Sequence, residues 1–241
     1  MTDYHESWDG DSGSAAAGTE DPPPRPNFFK RLWMAIVKPG ELFEALAANP
    51  AWFPMAAFVA VAVGISLCLL PAEAFYEAAV ANTPPDQQAA LRDQPWELYK
   101  WFAAGGATVF VMVLPVFLSL LSYVIFVFIR GDRATFKQHL CVMSHAGIIT
   151  ALGALATVPI RTINHAQDTL ALGDLTPFLD GYLYDVLNGV DLFALWATIA
   201  AGLGLSLLDP RRRWAPTAAV LVVILLLSAM IGPTLVALFV S

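Results

Sequence analysis

Long apolar runs almost free of charge dominate this chain, and short segments between them carry most of its ionisable groups. A run of about 18 or more such residues is long enough to cross the hydrocarbon core of a bilayer as a helix. In lipid every backbone amide must be satisfied within its own segment, which leaves helices as the only fitting element for runs of this kind. Five runs qualify: Trp52 to Leu70, Trp101 to Ile129, Leu140 to Ile160, Leu192 to Leu208 and Ala215 to Val240. The fourth is the shortest and is bracketed by Asp191 and Asp209. The expected fold class is therefore all-α, a polytopic membrane bundle of five transmembrane helices. Charged residues make up only 14% of the chain, against about 25% in a soluble domain. The formal charge of −7 argues against a basic nucleic-acid footprint, although the sign of the charge changes from loop to loop.

The basic residues orient the runs. Ten of the thirteen Lys and Arg lie before the first run, between the second and third, and between the fourth and fifth. They are Arg25, Lys30, Arg31, Lys38, Arg130, Arg133, Lys137, Arg211, Arg212 and Arg213. The two remaining connections hold Arg92, Lys100 and Arg161 among many acids. Lys and Arg close to span ends favour the cytoplasmic side. This split predicts an inner plasma-membrane protein with its N-terminus cytoplasmic and its C-terminus outside. An odd number of spans is what such an arrangement requires. Trp52, Tyr99, Trp101 and Trp214 stand at run ends, where interfacial aromatics are expected.

Residues 1–26 read as a separate, disordered acidic tail, with Asp3, Glu6, Asp9, Asp11, Glu20, Asp21 and a Pro22-Pro23-Pro24 stretch. They lack the basic start and apolar run of a signal peptide. Residues 27–241 form the membrane domain. At its start Asn27 suits a helix cap, followed by Phe28, Phe29, Leu32, Trp33, Ile36 and Val37 on one helical stripe, with Lys30, Arg31 and Lys38 around it. This predicts an N-terminal amphipathic interfacial helix. Its stripe lies either in lipid, with its lysines near anionic head groups, or under the bundle. Pro39 suits the first position of a second short helix, with Glu41 and Glu44 in its opening turns.

An ionisable residue inside a span is a functional candidate, and His145 in the third run is the one that qualifies. Cys141 lies four residues before it, on the same helix face. Two soft ligands are too few for a metal, which needs three or four. His139 falls on a different face, nearer the surface. The plain reading of His145 is a hydrogen bond to a neighbouring span. Cys68 and Cys141 differ in depth by roughly 20 Å at the helical rise, beyond the ~7 Å Cα separation of a disulfide. Pro115, Pro159 and Pro233 interrupt the spans, and Gly202 and Gly204 would let helices approach closely. No zincin pair, acidic dyad or nucleophile elbow occurs, so no catalytic residue, cofactor or metal site is expected.

Three stretches are similar to one family. Phe29 to Leu46, FKRLWMAIVKPGELFEAL, is a basic-aromatic helix followed by Pro39-Gly40-Glu41 and Phe43. Gly131 to Leu140, GDRATFKQHL, is a short loop leading into the third run. Val190 to Ser206, VDLFALWATIAAGLGLS, carries Asp191, Trp196 and a glycine pair. From about Phe28 to Val240 the chain resembles the bacterial branch of the Yip (Ypt/Rab-interacting protein) domain family. The resemblance implies five spans and a cytosolic N-terminus. It associates eukaryotic members with vesicle traffic and Rab-type GTPases, and bacterial members with export or envelope machinery. The eukaryotic Asp-Leu-Tyr-Gly-Pro motif has no clear match here.

Three functions follow as expectations. The first is a non-enzymatic membrane protein that organises or assists membrane partners, with His145, Cys141, Pro39, Phe43, Asp191 and Trp196 as candidate functional residues. Its partners would be the lipid bilayer and other membrane proteins or copies of itself, with no nucleic acid and no evident small-molecule substrate. The second is a transporter or channel component with His145 proton-linked. The third is a membrane enzyme using Asn164, His165 and Asp168, against which a solvated loop turn is the simpler reading.

Overall fold

Helices start where the sequence supplies caps and prolines. In the computed structural model, which describes residues 26–165 and 170–239, the chain is a bundle of α-helices. No strand occurs among the described residues; Ala171 and Asp191 form an isolated bridge. The acidic tail expected over residues 1–26 falls outside the described residues save for Pro26. Two short helices come first, α1 (Phe28–Val37) and α2 (Pro39–Ala48). The Asn27 side chain accepts from the Lys30 amide at 2.8 Å and starts α1, while Pro39 stands at the start of α2.

The longer helices follow. α3 (Phe53–Cys68) ends in a bend of 87° into α4 (Ala72–Ala81). α5 (Trp96–Tyr123) contains the buried Pro115 and runs on into a π-helical segment, Val124–Ile129. Gly131 (φ +73°) then takes the left-handed turn that reverses the chain. α6 (Phe136–Ala156) starts with a reciprocal cap between Thr135 and Gln138. The short α7 (Val158–Ile163) carries Pro159 in its first turn. α8 (Gly181–Asn188) leads to α9 (Leu192–Ser206), and α10 (Trp214–Ala229) breaks at Met230 into α11 (Ile231–Phe239).

α6 is the axis. It packs against α3, α5 and α9, and α10 is held through α9. Two thirds of its apolar stretch is buried (67%), against 22% for α5 and 11% for α10. Small residues allow this closeness: a Cβ on Gly202 would lie 2.4 Å from the Ala218 backbone, so α9 and α10 touch there main chain to main chain.

Among the described residues three continuous helices are long and apolar enough to cross a bilayer: Trp96–Ile129, Phe136–Ile163 and Trp214–Leu235. The bent α3–α4 pair raises the number to four. Leu192–Ser206, the fourth expected span, is apolar but only 15 residues long. The all-α class is as expected, whereas length alone supports fewer crossings than five.

Pro159 and Pro233 sit just past helix breaks, as interrupting prolines should, but α5 continues through Pro115. Cys68, at the far end of α3, and Cys141, near the start of α6, are both free thiols.

Candidate functional site

Many of the polar groups buried in the bundle, among them Arg31, Ser122, His139, His145, Asp209 and Arg212, gather at one end, where α1, α2 and the two Arg-rich connections meet; Ser66, Thr157 and Arg161 are buried toward the other. The first of these is the basic end of the molecule; the acid-rich connections lie at the other. α1 divides its apolar residues between two faces. Met34 and Ala35 are buried against the bundle together with Arg31, while Phe29 (78% exposed) and Trp33 (64%) point outward with Ile36 and Val37. The alternatives of lipid or bundle are thus not exclusive, because the helix has an apolar surface for each.

Arg31 ties α1 to α6. Its Nη1 donates to the Ala51 carbonyl at 3.2 Å and lies 3.4 Å from His145 Nε2, and its guanidinium stands over the Phe28 ring at 5.8 Å. His145 Nδ1 is 2.8 Å from the Cys141 carbonyl oxygen, which can only accept. Nδ1 therefore carries the proton, and Nε2 offers Arg31 a lone pair. Cys141 Sγ is 3.7 Å from the same Nδ1. The candidate pair Cys141 and His145 is brought together, but His145 bonds to the juxtamembrane helix rather than to a neighbouring span. Among the described residues no group of three or more His, Cys, Asp or Glu could hold a metal.

Phe43 is the second anchor. It is 1% exposed and enters the bundle between α6 and α9. A Cβ on Gly204 would meet its ring at 2.9 Å and Val142 at 2.7 Å, so this glycine makes the socket for Phe43. Pro39 acts one step back, by starting the helix that delivers Phe43. Gln138 completes the join by donating to the Ala47 carbonyl at 2.7 Å.

The remaining candidates lie elsewhere. Asp191 caps α9, its carboxylate accepting from the Ala194 amide at 2.7 Å, about 20 Å along the helix from Gly204. Trp196 is 48% exposed on the outside of the bundle. Asn164 follows the end of α7, His165 adopts a left-handed backbone (φ +50°), and Asp168 lies outside the described residues.

Sequence reasoning missed a clasp between the two basic connections. Asp132 accepts from Arg212 Nε at 2.5 Å, in an ion pair whose side chains are 7% and 1% exposed. Arg212 Nη1 also donates to the Leu205 carbonyl at 2.6 Å. Asp209 accepts from Arg211 Nε and Nη2 at 3.1 and 2.9 Å and from the Arg133 amide at 3.2 Å. These donors, the Arg211 guanidinium first, hold the Asp209 carboxyl well below the usual carboxylate range. Phe126, on the π-helical segment, is fully buried with the Arg212 guanidinium 4.6 Å from its ring centre.

His139, in the first turn of α6, is fully buried in the bundle, with Nδ1 2.8 Å from Ser122 Oγ on α5. The available signal was one acid in each otherwise basic segment, Asp132 in GDR and Asp209 in DPRRR.

A family model for the Yip1 domain matches residues 33–232. The chain belongs to the Yip1 domain family. It is also similar to "Membrane protein YknW" of Bacillus subtilis (strain 168), with 24% identity over 178 residues, covering 72% of this chain and 76% of that one. No solved structure matches. The Yip1-domain match takes in Pro39, Phe43, the clasp residues, His139 and His145, and starts just after Arg31. The two anchors of the juxtamembrane segment thus fall on either side of its boundary. Family membership and the apolar helices together make this a multi-pass membrane protein.

Proposed function

We propose that this Yip1-domain protein is a non-enzymatic organiser of membrane partners, working from its basic end in trafficking or in envelope or export machinery. The observation that carries this reading is the anchoring of α1 and α2. Arg31 and Phe43 fix the two helices to the bundle, and the far side of α1 presents Phe29, Trp33, Ile36 and Val37. Such a fixed apolar face, flanked by Lys30 and Lys38, suits the interface between lipid and cytoplasm.

The ten-to-three distribution of Lys and Arg supports a cytoplasmic basic end, five crossings and an outside C-terminus in the inner membrane. α9 makes the fourth crossing despite its length, because α6 and α10 cover it.

The test is affinity isolation of the full chain from its own membranes in a mild detergent, with a Phe43→Ala variant in parallel. The reading predicts a defined membrane protein recovered with the parent chain and depleted with the variant. Recovery of the chain alone, under conditions that preserve known complexes, contradicts it.

A further inference from the structure

We propose that ordered internal water occupies the junction of α5, α6 and the clasp, donating to Nε2 of His139 and accepting from Nη2 of Arg212. The argument starts with protons. Ser122 Oγ donates its one proton to the Ser119 carbonyl at 3.1 Å. With that proton so placed Oγ accepts from His139 Nδ1, 2.8 Å away, and the proposal puts the proton of His139 on Nδ1. Nε2 is left with a lone pair, and among the described residues it has no hydrogen-bond partner although it is buried.

Arg212 presents the complement. Its Nε is taken by Asp132 and its Nη1 by the Leu205 carbonyl, while the buried Nη2 has no partner among the described residues. Both groups stand around one ring: the guanidinium carbon is 4.6 Å from the centre of Phe126, and the His139 ring centre 6.5 Å. Ser119 Oγ, on the same face of α5 as Ser122, is a third buried atom without a partner among the described residues.

A buried donor or acceptor left unsatisfied costs about 1–3 kcal/mol, and internal water typically meets about three such groups. The occupant must give a hydrogen bond to Nε2 and receive one from Nη2. An anion meets the Nε2 lone pair head-on, and Asp132 already balances the charge of Arg212. A cation meets the guanidinium. Water satisfies both, singly or as a short chain, and Ser119 Oγ can join it.

The experiment is nitrogen-15 NMR of the full chain in lipid nanodiscs with labelled histidine. A His139→Gln variant assigns the signal. The expected result is His139 in the Nδ1-protonated form, with Nε2 at an acceptor shift and a cross-peak from the His139 ring to long-lived water. Arg212→Lys keeps a cation for Asp132 but removes Nη2. It should weaken or abolish the water cross-peak while leaving the His145 signals in place, which shows that the bundle remains folded. A proton on Nε2, the absence of a water cross-peak in the parent chain, or a cross-peak unchanged in Arg212→Lys overturns the proposal. Displaced His145 signals in Arg212→Lys shift the decision to the parent spectrum, where the tautomer and the cross-peak settle it.

Discussion

At the scale of single residues, several buried polar groups, Arg31, His139 and Arg212 among them, join parts of the chain that are far apart in sequence. Arg31 and His145 are 114 positions apart. Replacing Arg31 by Ala removes a buried, charge-assisted donor, and we expect a loss of about 1.5–3 kcal/mol, read as lowered thermal stability in detergent. His145→Ala, which deletes the acceptor, should add little to it in the double variant, because the two side chains form one interaction. A fully additive double variant would contradict the link.

Asp209 gives a prediction in pH. Its folded-state pKa is depressed by Arg211, so its contribution is present above the unfolded value of about 3.9 and is lost only as pH falls through the lower folded value. Between pH 7 and 4 the clasp should hold its geometry, read as a constant distance between spin labels at positions 133 and 213. Asp209→Asn should widen that distance across the whole range.

At the scale of elements, the Phe43 socket makes the sharpest demand. Phe43→Ala leaves a cavity between α6 and α9 and should cost about 3–5 kcal/mol. Gly204→Ala should also destabilise, because the added methyl would lie 2.9 Å from the ring. Combined with Phe43→Leu it should cost less than the sum of the two changes. Thermal unfolding of the four chains checks this.

The elements also show what was legible in the sequence. Helices were, since apolar runs with Asn27 and Pro39 at the starts of the first two helices leave little choice. The glycine pair was read as a close-contact site, and Gly202 is one. That Gly204 receives Phe43 was not legible, because nothing local says which residue arrives from 161 positions away. That His139 meets Ser122 was not legible for a similar reason: its environment depends on how α5 lies beside α6. The clasp was hidden by a summary of the loops as basic, which averaged away Asp132 and Asp209. The two faces of α1 needed tertiary contacts to separate, since both are apolar in the sequence.

At the scale of the whole molecule, the proposed arrangement is five crossings with the basic end in the cytoplasm. Its weakest crossing is α9, about 22 Å long at the helical rise against a hydrocarbon core of about 30 Å. Its flanks explain how it would serve: Leu207 and Leu208 extend the apolar stretch, and Asp191 and Asp209 mark its two ends. The decisive measurement is cysteine accessibility in intact cells. It uses a chain without Cys68 and Cys141 that carries single cysteines at Ser14, Thr83, Arg133, Asp174, Arg213 or Ser241. An impermeant maleimide should label positions 83, 174 and 241 from outside, and positions 14, 133 and 213 only after permeabilisation. Labelling of 174 and 213 from the same side would show that α9 does not cross and would contradict the five-span account.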